Sequence, residues 1–258
     1  MTTLKLDDVN GLNVESKERL RNLSNIIPPM GYDKGKQAAV MVALFIGRLG
    51  DLHVLLSQRS DFLSSYPGDT CLIGGRKEPS DVDVEYTARR EAEEEIGLPI
   101  DYDCVRYVAT LPPHLAGYGL SAVTVWPIVC LITDRALVPM LNEDEVQRIF
   151  SHPLESFLSH RPDKLLLRLG HLEDESDAYH WHFDDVDPVS SRHSLRKHVF
   201  ETGRNTIKPI LGFTARVMIR VAEIACQRPA SFIVDAPNQI PELERVKISQ
   251  ERRTTARL

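Results

Sequence analysis

The sequence predicts an α/β fold in which a mixed β-sheet is covered by helices. Apolar runs typical of buried strands recur along the chain, the first of them at Gln37–Ile46. Helical periodicity is confined to a few segments, among them one near 82–96 and one at Leu211–Gln227. Strands with so few helices between them favour a mixed sheet over a doubly wound parallel sheet.

Composition limits the classes of function. The 258 residues are 42% hydrophobic and 26% charged, which is typical of a soluble globular protein at the upper end of single-domain size. A net charge of −6 argues against nucleic acid as a partner, although it does not exclude a small anionic substrate. The longest apolar run, Ala38–Gly47, is too short to cross a bilayer, so we also expect no membrane partner. The four cysteines are scattered, which disfavours a zinc site or a disulfide framework.

The elements follow from periodicity and from turn residues. In the first part of the chain we predict a helix near 15–25, a hairpin of Gln37–Ile46 and Asp51–Gln58, a loop at Asp61–Pro79 and the helix near 82–96. Ser80 or Asp83 would cap that helix, and Gly97 follows its end. In the second part we predict strands near 103–111 and 121–133, short helical or turn pieces at Asn142–Phe150 and Leu154–Leu158, a second hairpin of roughly 164–170 and 178–183, and the helix at Leu211–Gln227. The polar stretch 184–208 predicts a long loop, and the charged segment from Pro241 onward predicts a mobile tail. We therefore divide the chain into an N-terminal helical extension (1–36), a main domain (37–230) with an insertion (184–208), and a C-terminal tail (231–258).

The helix near 82–96 carries a group of carboxylates. Glu91, Glu94 and Glu95 lie at i, i+3 and i+4, so their side chains converge on one patch of the helix. An apolar stripe lies beside that patch and fixes it to the core: Val84, Ala88, Ala92 and Ile96. The alternative is a solvated acidic helix with Arg89–Glu93 and Arg90–Glu94 ion pairs. Repulsion among the glutamates costs only about 0.2–0.5 kcal/mol per pair, so the helix alone leaves both interpretations open.

The residues around this helix carry a family resemblance. Gly74-Gly75 and Asp81 precede it, Arg90-Glu91 open its acidic half, and Gly97-Leu98 close it. The segment resembles the Nudix box, whose second half reads Arg-Glu-apolar-x-Glu-Glu-x-Gly-apolar. The first half departs from that pattern, because Asp81 replaces the usual glutamate and one extra residue precedes Arg90. The resemblance implies the Nudix fold, an α/β/α sandwich around a mixed sheet.

The same resemblance implies the chemistry of a hydrolase. Glu91, Glu94 and Glu95 would ligate Mg²⁺ or Mn²⁺, hard cations that take carboxylate oxygens, against a substrate diphosphate. Glu94, Glu95, Arg90 and Glu145 are the candidate catalytic residues. Of these, Arg90 would orient a glutamate, and Glu145 would act as a general base or distal metal ligand. Gly74 and Gly75 would let the backbone pass close to the metal cluster and substrate.

A second resemblance concerns the substrate. Leu55–Ser60, continuing through Pro67-Gly68 to Gly74-Gly75, looks like the signature that precedes the box in coenzyme A diphosphatases. It implies cleavage of coenzyme A or acyl-CoA to adenosine 3′,5′-bisphosphate and (acyl-)4′-phosphopantetheine. Ser64 stands where the signature has a second arginine, and Leu72-Ile73 replace a Phe-Pro pair. A Nudix hydrolase of another nucleoside diphosphate compound, such as NADH or ADP-ribose, and a non-catalytic Nudix module are the alternatives.

Several single residues keep two interpretations. Arg59 is a candidate substrate-phosphate contact or a strand-end salt bridge, and Glu145 has the plain alternative of a helix-start carboxylate. Four basic residues could substitute for the missing arginine or form a solvated loop: Arg192, Arg196, Lys197 and Arg204.

The last three residues suggest a cellular address. Ala256-Arg257-Leu258 is a conservative variant of the Ser-Lys-Leu peroxisomal signal, which an import receptor binds at a free C-terminus. The sequence therefore predicts the peroxisome as the location and the import receptor as a partner. The cytoplasm is the alternative.

Overall fold

The structure is a computed structural model that describes residues 9–117, 119–162, 166–167, 179–203 and 207–255. The α-helices of these residues, numbered in chain order, are α1 (Val14–Ser24), α2 (Val84–Ile96), α3 (Gly212–Cys226) and α4 (Glu242–Thr255). The strands are β1 (Gln37–Ile46), β2 (Leu52–Arg59), β3 (Thr70–Cys71), β4 (Ile73–Arg76), β5 (Val105–Thr110), β6 (His114–Ala116), β7 (Val123–Ile132), β8 (Val146–Pro153), β9 (His180–Asp187), β10 (Ser190–Phe200) and β11 (Ile210–Leu211). Short 3₁₀-helices lie at Gly119–Ser121 and Leu154–Leu158.

Strand β1 is the centre of a mixed sheet. One side of β1 pairs with β7 in parallel, from Gln37 opposite Thr124 to Phe45 opposite Ile132. The other side is shared by two antiparallel partners, because β4 pairs with the first half of β1 and β2 pairs with the second half. Strands β5 and β6 extend the sheet beyond β7, whereas β3 and β8 extend it beyond β2. This arrangement confirms the predicted mixed sheet.

Both faces of the sheet are buried. Side chains alternate along β1, so Val40 and Val42 enter one hydrophobic cluster while Ala39 and Met41 enter the other. The first cluster is covered by α1 and α3, and the second is covered by α2 and α4. A strand buried on both faces needs apolar residues at every position, which is why β1 is one continuous apolar run. The predicted α/β/α sandwich is therefore confirmed.

Segment 142–150 was expected to be helical or a turn, and this was wrong for its second half. β8 begins at Val146 and pairs with β2, with Phe150 opposite Leu56 and His152 opposite Val54. The edge of β2 supplies backbone hydrogen-bond partners that no local pattern in the sequence reveals. The 3₁₀-helix at Leu154–Leu158 agrees with the prediction of a short helical piece.

The segment 184–208 is not a long loop, which corrects the expectation. Its first two thirds belong to a hairpin in which β9 and β10 pair from Asp187 opposite Ser190 to His180 opposite Phe200. β9, which contains most of the strand predicted at 178–183, pairs with β10. Most of 164–170, the partner predicted for it, lies outside the described residues. Charged side chains of the two strands form ion pairs across the hairpin. Arg196, for example, contacts Asp184 at 2.7 Å. The apolar alternation expected of a strand is replaced here by charge pairing.

The charged segment after Pro241 is helix α4, and its packing contradicts the expectation of a mobile tail. Arg245 is 1% exposed, and its guanidinium donates to both carboxylate oxygens of Asp187 at 2.9 and 3.2 Å. The same guanidinium contacts Glu242, which accepts the backbone N–H of Leu115. Buried charges of opposite sign, each hydrogen-bonded, hold the helix against β6 and the end of β9.

The proposed domain boundaries at 36/37 and 230/231 stay predictions. Ala256–Leu258 lie outside the described residues. Within the part of the chain that the structure describes, no helix is both long enough and apolar enough to span a membrane.

Candidate active site

Helix α2 presents its acidic residues on a rigid base. Its N-terminus is capped by Asp83, whose carboxylate accepts the N–H of Tyr86 at 2.8 Å, and it ends at Gly97 with a left-handed φ of 66°. Ala88, Ala92 and Ile96 are at most 1% exposed, as the predicted apolar stripe requires. The position of the carboxylates is therefore set by the core beneath them.

The glycines of β4 make room for this helix. A Cβ atom at Gly75 would lie 2.4 Å from Oε2 of Glu91, which is closer than any side chain allows. Gly74 has a φ of 151°, and a Cβ atom there would lie 2.3 Å from the carbonyl oxygen of Ala39 in β1. The backbone of β4 can thus approach both the carboxylates and the neighbouring strand only because both residues lack a side chain.

Arg90 organises the carboxylates. Its Nε and Nη2 atoms donate to the two oxygens of Asp81 at 3.0 and 3.1 Å, and Nη2 also donates to the carbonyl of Arg76. Its Nη1 atom lies 2.9 Å from Oε1 of Glu91 and 3.0 Å from Oε2 of Glu94. The planar guanidinium therefore ties β4, the loop before α2 and two acidic residues together. The functional role expected of Arg90, orienting a glutamate, stays a prediction.

Asp81 has a structural role that the sequence did not reveal. Its side chain is fully buried and accepts hydrogen bonds from the N–H of Glu78 and the hydroxyl of Thr87 as well as from Arg90. The hydrogen bond from Arg90 lowers the pKa of Asp81 to about 2. The sequence showed Asp81 shortly before the helix, but it did not show that Arg90, nine residues later, is its partner. The residue that replaces the usual glutamate thus anchors Arg90.

Of the two ion pairs that the solvated-helix alternative requires, Arg90–Glu94 forms and Arg89–Glu93 does not. Arg89 is 1% exposed and instead contacts Glu85 at 2.9 Å and the carbonyl of Val105 at 2.9 Å. It faces β5, on the core side of α2, because its guanidinium finds buried acceptors there. The solvated acidic helix considered as the alternative is therefore wrong for this part of α2.

Burial disfavours the ionised forms of Glu91 and Glu95. Burial, together with the negative charges of Glu91 and Glu145, raises the pKa of Glu95 to about 8, and the N–H of Gly74 at 3.4 Å offsets this only in part. Burial likewise raises the pKa of Glu91, against the opposing effect of Arg90. Carboxylates that are desolvated and repel one another favour the binding of a cation between them.

Glu145 and Arg59 lie beside this patch. The negative charge of Glu145 acts on both Glu91 and Glu95, and the positive charge of Arg59 acts on Glu95. Their segments meet because Arg59 pairs with Val146 across β2 and β8. The carbonyl of Glu145 also accepts the N–H of Ser60 at 2.9 Å. Glu145 precedes a strand, so its plain alternative as a helix-start carboxylate is wrong.

The departures from the coenzyme A signature have different surroundings. Leu72 and Ile73 are 4% and 0% exposed and belong to opposite hydrophobic clusters, so both are packing residues. Ser64 is exposed in the loop between β2 and β3. Lys208, which sequence reasoning missed, reaches that loop and contacts the carbonyl of Pro67 and the carboxylate of Asp69.

Two of the four basic residues suggested as substitutes for the second arginine form ion pairs within one hairpin. Arg196 pairs with Asp184 and Lys197 pairs with Asp185, both within the β9–β10 hairpin. Arg204 lies outside the described residues. Arg192 is exposed in β10. The side chains of Arg196 and Lys197 are therefore engaged within the hairpin and not with the carboxylates of α2.

Comparison with known proteins assigns the fold and the site to one family. A family model described as the NUDIX domain matches residues 35–181, a span of more than half the chain that contains β1, β4, α2 and Glu145. The chain belongs to the Nudix family. This confirms the resemblance found at Gly74–Leu98.

Relatives of this Nudix protein carry hydrolase names. Nudix hydrolase 22, chloroplastic, of Arabidopsis thaliana is 37% identical over 204 residues, which cover 79% of this chain and 60% of that protein. The chain thus spans less than two thirds of that plant relative. The peroxisomal coenzyme A diphosphatase NUDT7 of Mus musculus is 30% identical over 240 residues, covering 92% of this chain and 90% of that protein. Among solved structures, a NUDIX hydrolase from Alicyclobacillus acidocaldarius has 17% identity and a TM-score of 0.40, covering 53% of this chain and 84% of that one.

Nudix hydrolases generally use divalent metal ions, and the donors of this Nudix site suit such ions. The donors are carboxylate oxygens, which hard divalent cations prefer. Burial raises the pKa values of Glu91 and Glu95, and a nearby cation would favour their charged forms. Among the described residues, no three acidic, histidine or cysteine side chains already surround one point as metal ligands.

Proposed function

We propose that this Nudix protein is a metal-dependent diphosphatase that hydrolyses coenzyme A or acyl-CoA to adenosine 3′,5′-bisphosphate and (acyl-)4′-phosphopantetheine. The observation that carries the hydrolytic part is the patch of Glu91, Glu94 and Glu95, ordered by Arg90 against Gly74-Gly75. A binding module without catalysis would have no need for three carboxylates kept in a mutually repulsive arrangement. The intact patch therefore supports catalysis.

The proposed roles follow from charge and position. Glu91, Glu94 and Glu95 hold Mg²⁺ or Mn²⁺, and the ion, when bound, neutralises phosphate charge and lowers the pKa of a water molecule. Glu95 is the most buried of the three, so its carboxylate is shielded from bulk water and best able to fix a ligand geometry.

Proton transfer is proposed for a residue outside the helix. Glu145 is exposed, and its charge acts on the same two glutamates that would bind the ion. A carboxylate at this position can accept a proton from the attacking water, either directly or through Glu95. Arg90 keeps Glu91 and Glu94 oriented and does not need to touch substrate.

Substrate contacts are proposed at the opening beside the carboxylates. Arg59 ends β2 and donates through Nε to the carbonyl of Ser65 at 3.3 Å, and its guanidinium is the group proposed to donate to a substrate phosphate. The backbone of Gly74 and Gly75 lies against the carboxylates and allows the diphosphate to approach without a side chain between them.

The choice of coenzyme A rests on two supports. The signature around Arg59 resembles that of coenzyme A diphosphatases, with departures at Ser64, Leu72 and Ile73, and the mouse relative of that name aligns over nearly the whole of both chains. Two matched plant proteins carry only the general name of Nudix hydrolase, so NADH and ADP-ribose stay as alternative substrates.

A substrate panel tests this choice. Turnover of coenzyme A, acetyl-CoA, NADH and ADP-ribose is measured with Mg²⁺ or Mn²⁺, and products are identified by mass. We expect the highest kcat/KM on a coenzyme A compound, with adenosine 3′,5′-bisphosphate as one product. A higher kcat/KM on NADH or ADP-ribose would overturn the substrate proposal and leave the hydrolytic one standing.

We also propose a peroxisomal location through Ala256-Arg257-Leu258. The names of the mouse and Saccharomyces cerevisiae relatives are peroxisomal, whereas those of the plant relatives are chloroplastic or mitochondrial. A fluorescent reporter that carries the last residues of the chain is expected in peroxisomes. Deletion of the final leucine should return it to the cytoplasm, and a diffuse signal from the intact tail would contradict the proposal.

A further inference from the structure

The loop between β2 and β3, residues 60–69, lies beside the carboxylates of α2. It follows Arg59, whose positive charge acts on Glu95, and it closes where the backbone N–H of Arg59 donates to the carbonyl of Asp69 at 2.9 Å. The Nε atom of Arg59 also donates to the carbonyl of Ser65 inside the loop at 3.3 Å. Arg59 therefore attaches this loop to the edge of the site where the diphosphate is proposed to bind.

A lysine from a distant part of the chain reaches the other end of this loop. Lys208 lies two residues before β11, and its backbone is held in place because the carbonyl of Pro209 accepts the hydroxyl of Thr70 in β3 at 2.9 Å. The Nζ atom of Lys208 donates to the carbonyl of Pro67 at 2.7 Å and to Oδ1 of Asp69 at 2.9 Å. Its charge is thus brought to the loop by tertiary structure.

Gly68 lets this lysine approach the loop closely. It is buried and has a left-handed φ of 69°. A Cβ atom there would lie 3.3 Å from Cε of Lys208 and 2.6 Å from Oδ1 of Asp61. A side chain at this position would therefore push both groups away, whereas glycine leaves room for them.

The ammonium group of Lys208 can bind a further anion. An ammonium group has three donors, and the contacts with Pro67 and Asp69 use two of them. The side chains of Lys208 and Asp69 are 50% and 30% exposed, so water screens their ion pair and little stability is lost when it opens. A doubly charged phosphate can therefore compete with the single carboxylate of Asp69 for this ammonium group.

We propose that Lys208 is a specificity-determining residue that binds the ribose phosphate of coenzyme A. The inference rests on the proposed function, in which Arg59 and the metal ion hold the diphosphate. Arg59 and Lys208 contact the carbonyls of Ser65 and Pro67, and two residues span at most about 7 Å of chain. Two cations on one short loop suit a nucleotide that carries phosphate at two separate places.

The charge of coenzyme A gives the second cation its purpose. The ribose phosphate is a monoester, which carries about −1.5 to −2 charges near neutral pH. The metal ion neutralises the diphosphate, so the monoester needs a cation of its own. Ser64 offers no charge where the coenzyme A signature has its second arginine. Lys208 supplies a charge to the same loop from a segment that the signature does not include.

Comparison of coenzyme A with dephospho-coenzyme A, which lacks only the ribose phosphate, tests the proposal. Lys208→Gln should lower kcat/KM for coenzyme A by about 10–100-fold, the range for loss of a hydrogen bond to a charged group. The loss should appear in KM with kcat little changed, because the monoester is remote from the bond that breaks. The kcat/KM of the variant for dephospho-coenzyme A should equal that of the wild type.

Two further substitutions distinguish phosphate binding from simple attachment of the loop. Lys208→Arg keeps the positive charge and should restore most of the preference for coenzyme A. Asp69→Asn removes the ion pair but keeps the ammonium group for the substrate, so it should retain or raise kcat/KM for coenzyme A. If Lys208 only held the loop, Asp69→Asn would lower the turnover of both substrates, and so would Lys208→Gln.

Lys197→Gln is the matched control for the loss of a surface charge. Lys197 forms a similar exposed ion pair with Asp185 at 2.6 Å, within the β9–β10 hairpin. Its replacement should change kcat/KM for neither substrate. Thermal unfolding of every variant should give the Tm of the wild type within the small shifts usual for surface positions.

The outcomes separate this inference from the proposed function. Equal losses for both substrates in Lys208→Gln, or a loss for neither, would overturn the role of Lys208 and leave the proposed function standing. Turnover of neither substrate by the wild type would overturn both. A loss confined to coenzyme A, absent in Asp69→Asn and Lys197→Gln, is the result expected of a residue that binds the ribose phosphate.

Discussion

Replacing Glu95 with glutamine is expected to lower kcat by about 10²–10⁴-fold, because the variant would lose much of the several kcal/mol of transition-state charge stabilisation that a bound metal ion supplies. The amide side chain of the variant keeps an oxygen for the N–H of Gly74, but it lacks the negative charge that a divalent ion needs. The variant is compared with the wild type under saturating substrate and metal. Unchanged turnover would show that Glu95 has no part in catalysis.

The same substitution should not weaken the metal-free fold. The pKa of Glu95 is raised from 4.5 to about 8, so the stability that its protonated form provides is complete below about 4.5 and lost as the pH rises through about 8. Above that pH the ionised carboxylate destabilises the folded chain, whereas glutamine stays neutral. Denaturant unfolding in chelator should therefore show the variant to be at least as stable as the wild type in alkaline buffer.

Glu93→Gln is the matched control for both measurements. Glu93 lies on the same helix two positions before Glu95, but it is exposed. Its replacement should change neither kcat nor the free energy of unfolding by more than the small effects usual for surface positions. A large loss of turnover in Glu93→Gln would indicate that the helix as a whole, and not Glu95, was disturbed.

Arg90→Met is expected to reduce stability by about 3–5 kcal/mol and to lower kcat as well. The side chain of Asp81 is 0% exposed, so removing Arg90 leaves a buried carboxylate without its ionic partner. Glu91 and Glu94 lose the contacts at 2.9 and 3.0 Å that orient them. Urea unfolding measures the first effect, and steady-state kinetics on the folded fraction measures the second.

Two further variants separate charge from geometry at Arg90. Arg90→Lys keeps the charge but cannot form the fork with Asp81, so it should recover only part of the lost stability and turnover. Arg106→Met removes a half-buried arginine that donates to the carbonyl of Asp103, and it should have little effect on either measurement. Full activity and stability in Arg90→Met would contradict the organising role of this residue.

The sequence predicted most of the sheet and the acidic patch because their patterns are local. Gln37–Ile46 is apolar at nearly every position, so its strand and its burial on both faces could be inferred directly. The spacing of Glu91, Glu94 and Glu95 follows from helical geometry, and Gly97 follows from the left-handed conformation that ends the helix.

The predictions for β8, the β9–β10 hairpin and α4 failed because these elements depend on contacts that a local sequence pattern does not show. β8 was missed because its partner, β2, lies almost a hundred residues earlier in the chain. The hairpin of β9 and β10 was missed because ion pairs such as Asp184–Arg196 replace apolar alternation. The segment of helix α4 was expected to be mobile because it is rich in charged residues. These residues have buried partners, such as Asp187 for Arg245, that only the folded chain brings near.

The sequence by itself determined the family, the carboxylates and the glycines of the site, because each depends on residue type at a fixed local spacing. Tertiary structure alone decided what those residues contact. It joined Arg90 to Asp81 and brought Arg59 and Glu145 beside Glu95. Their charges and pKa values depend on burial and on neighbours from distant segments, so the electrostatic character of the patch arises only when the sheet forms.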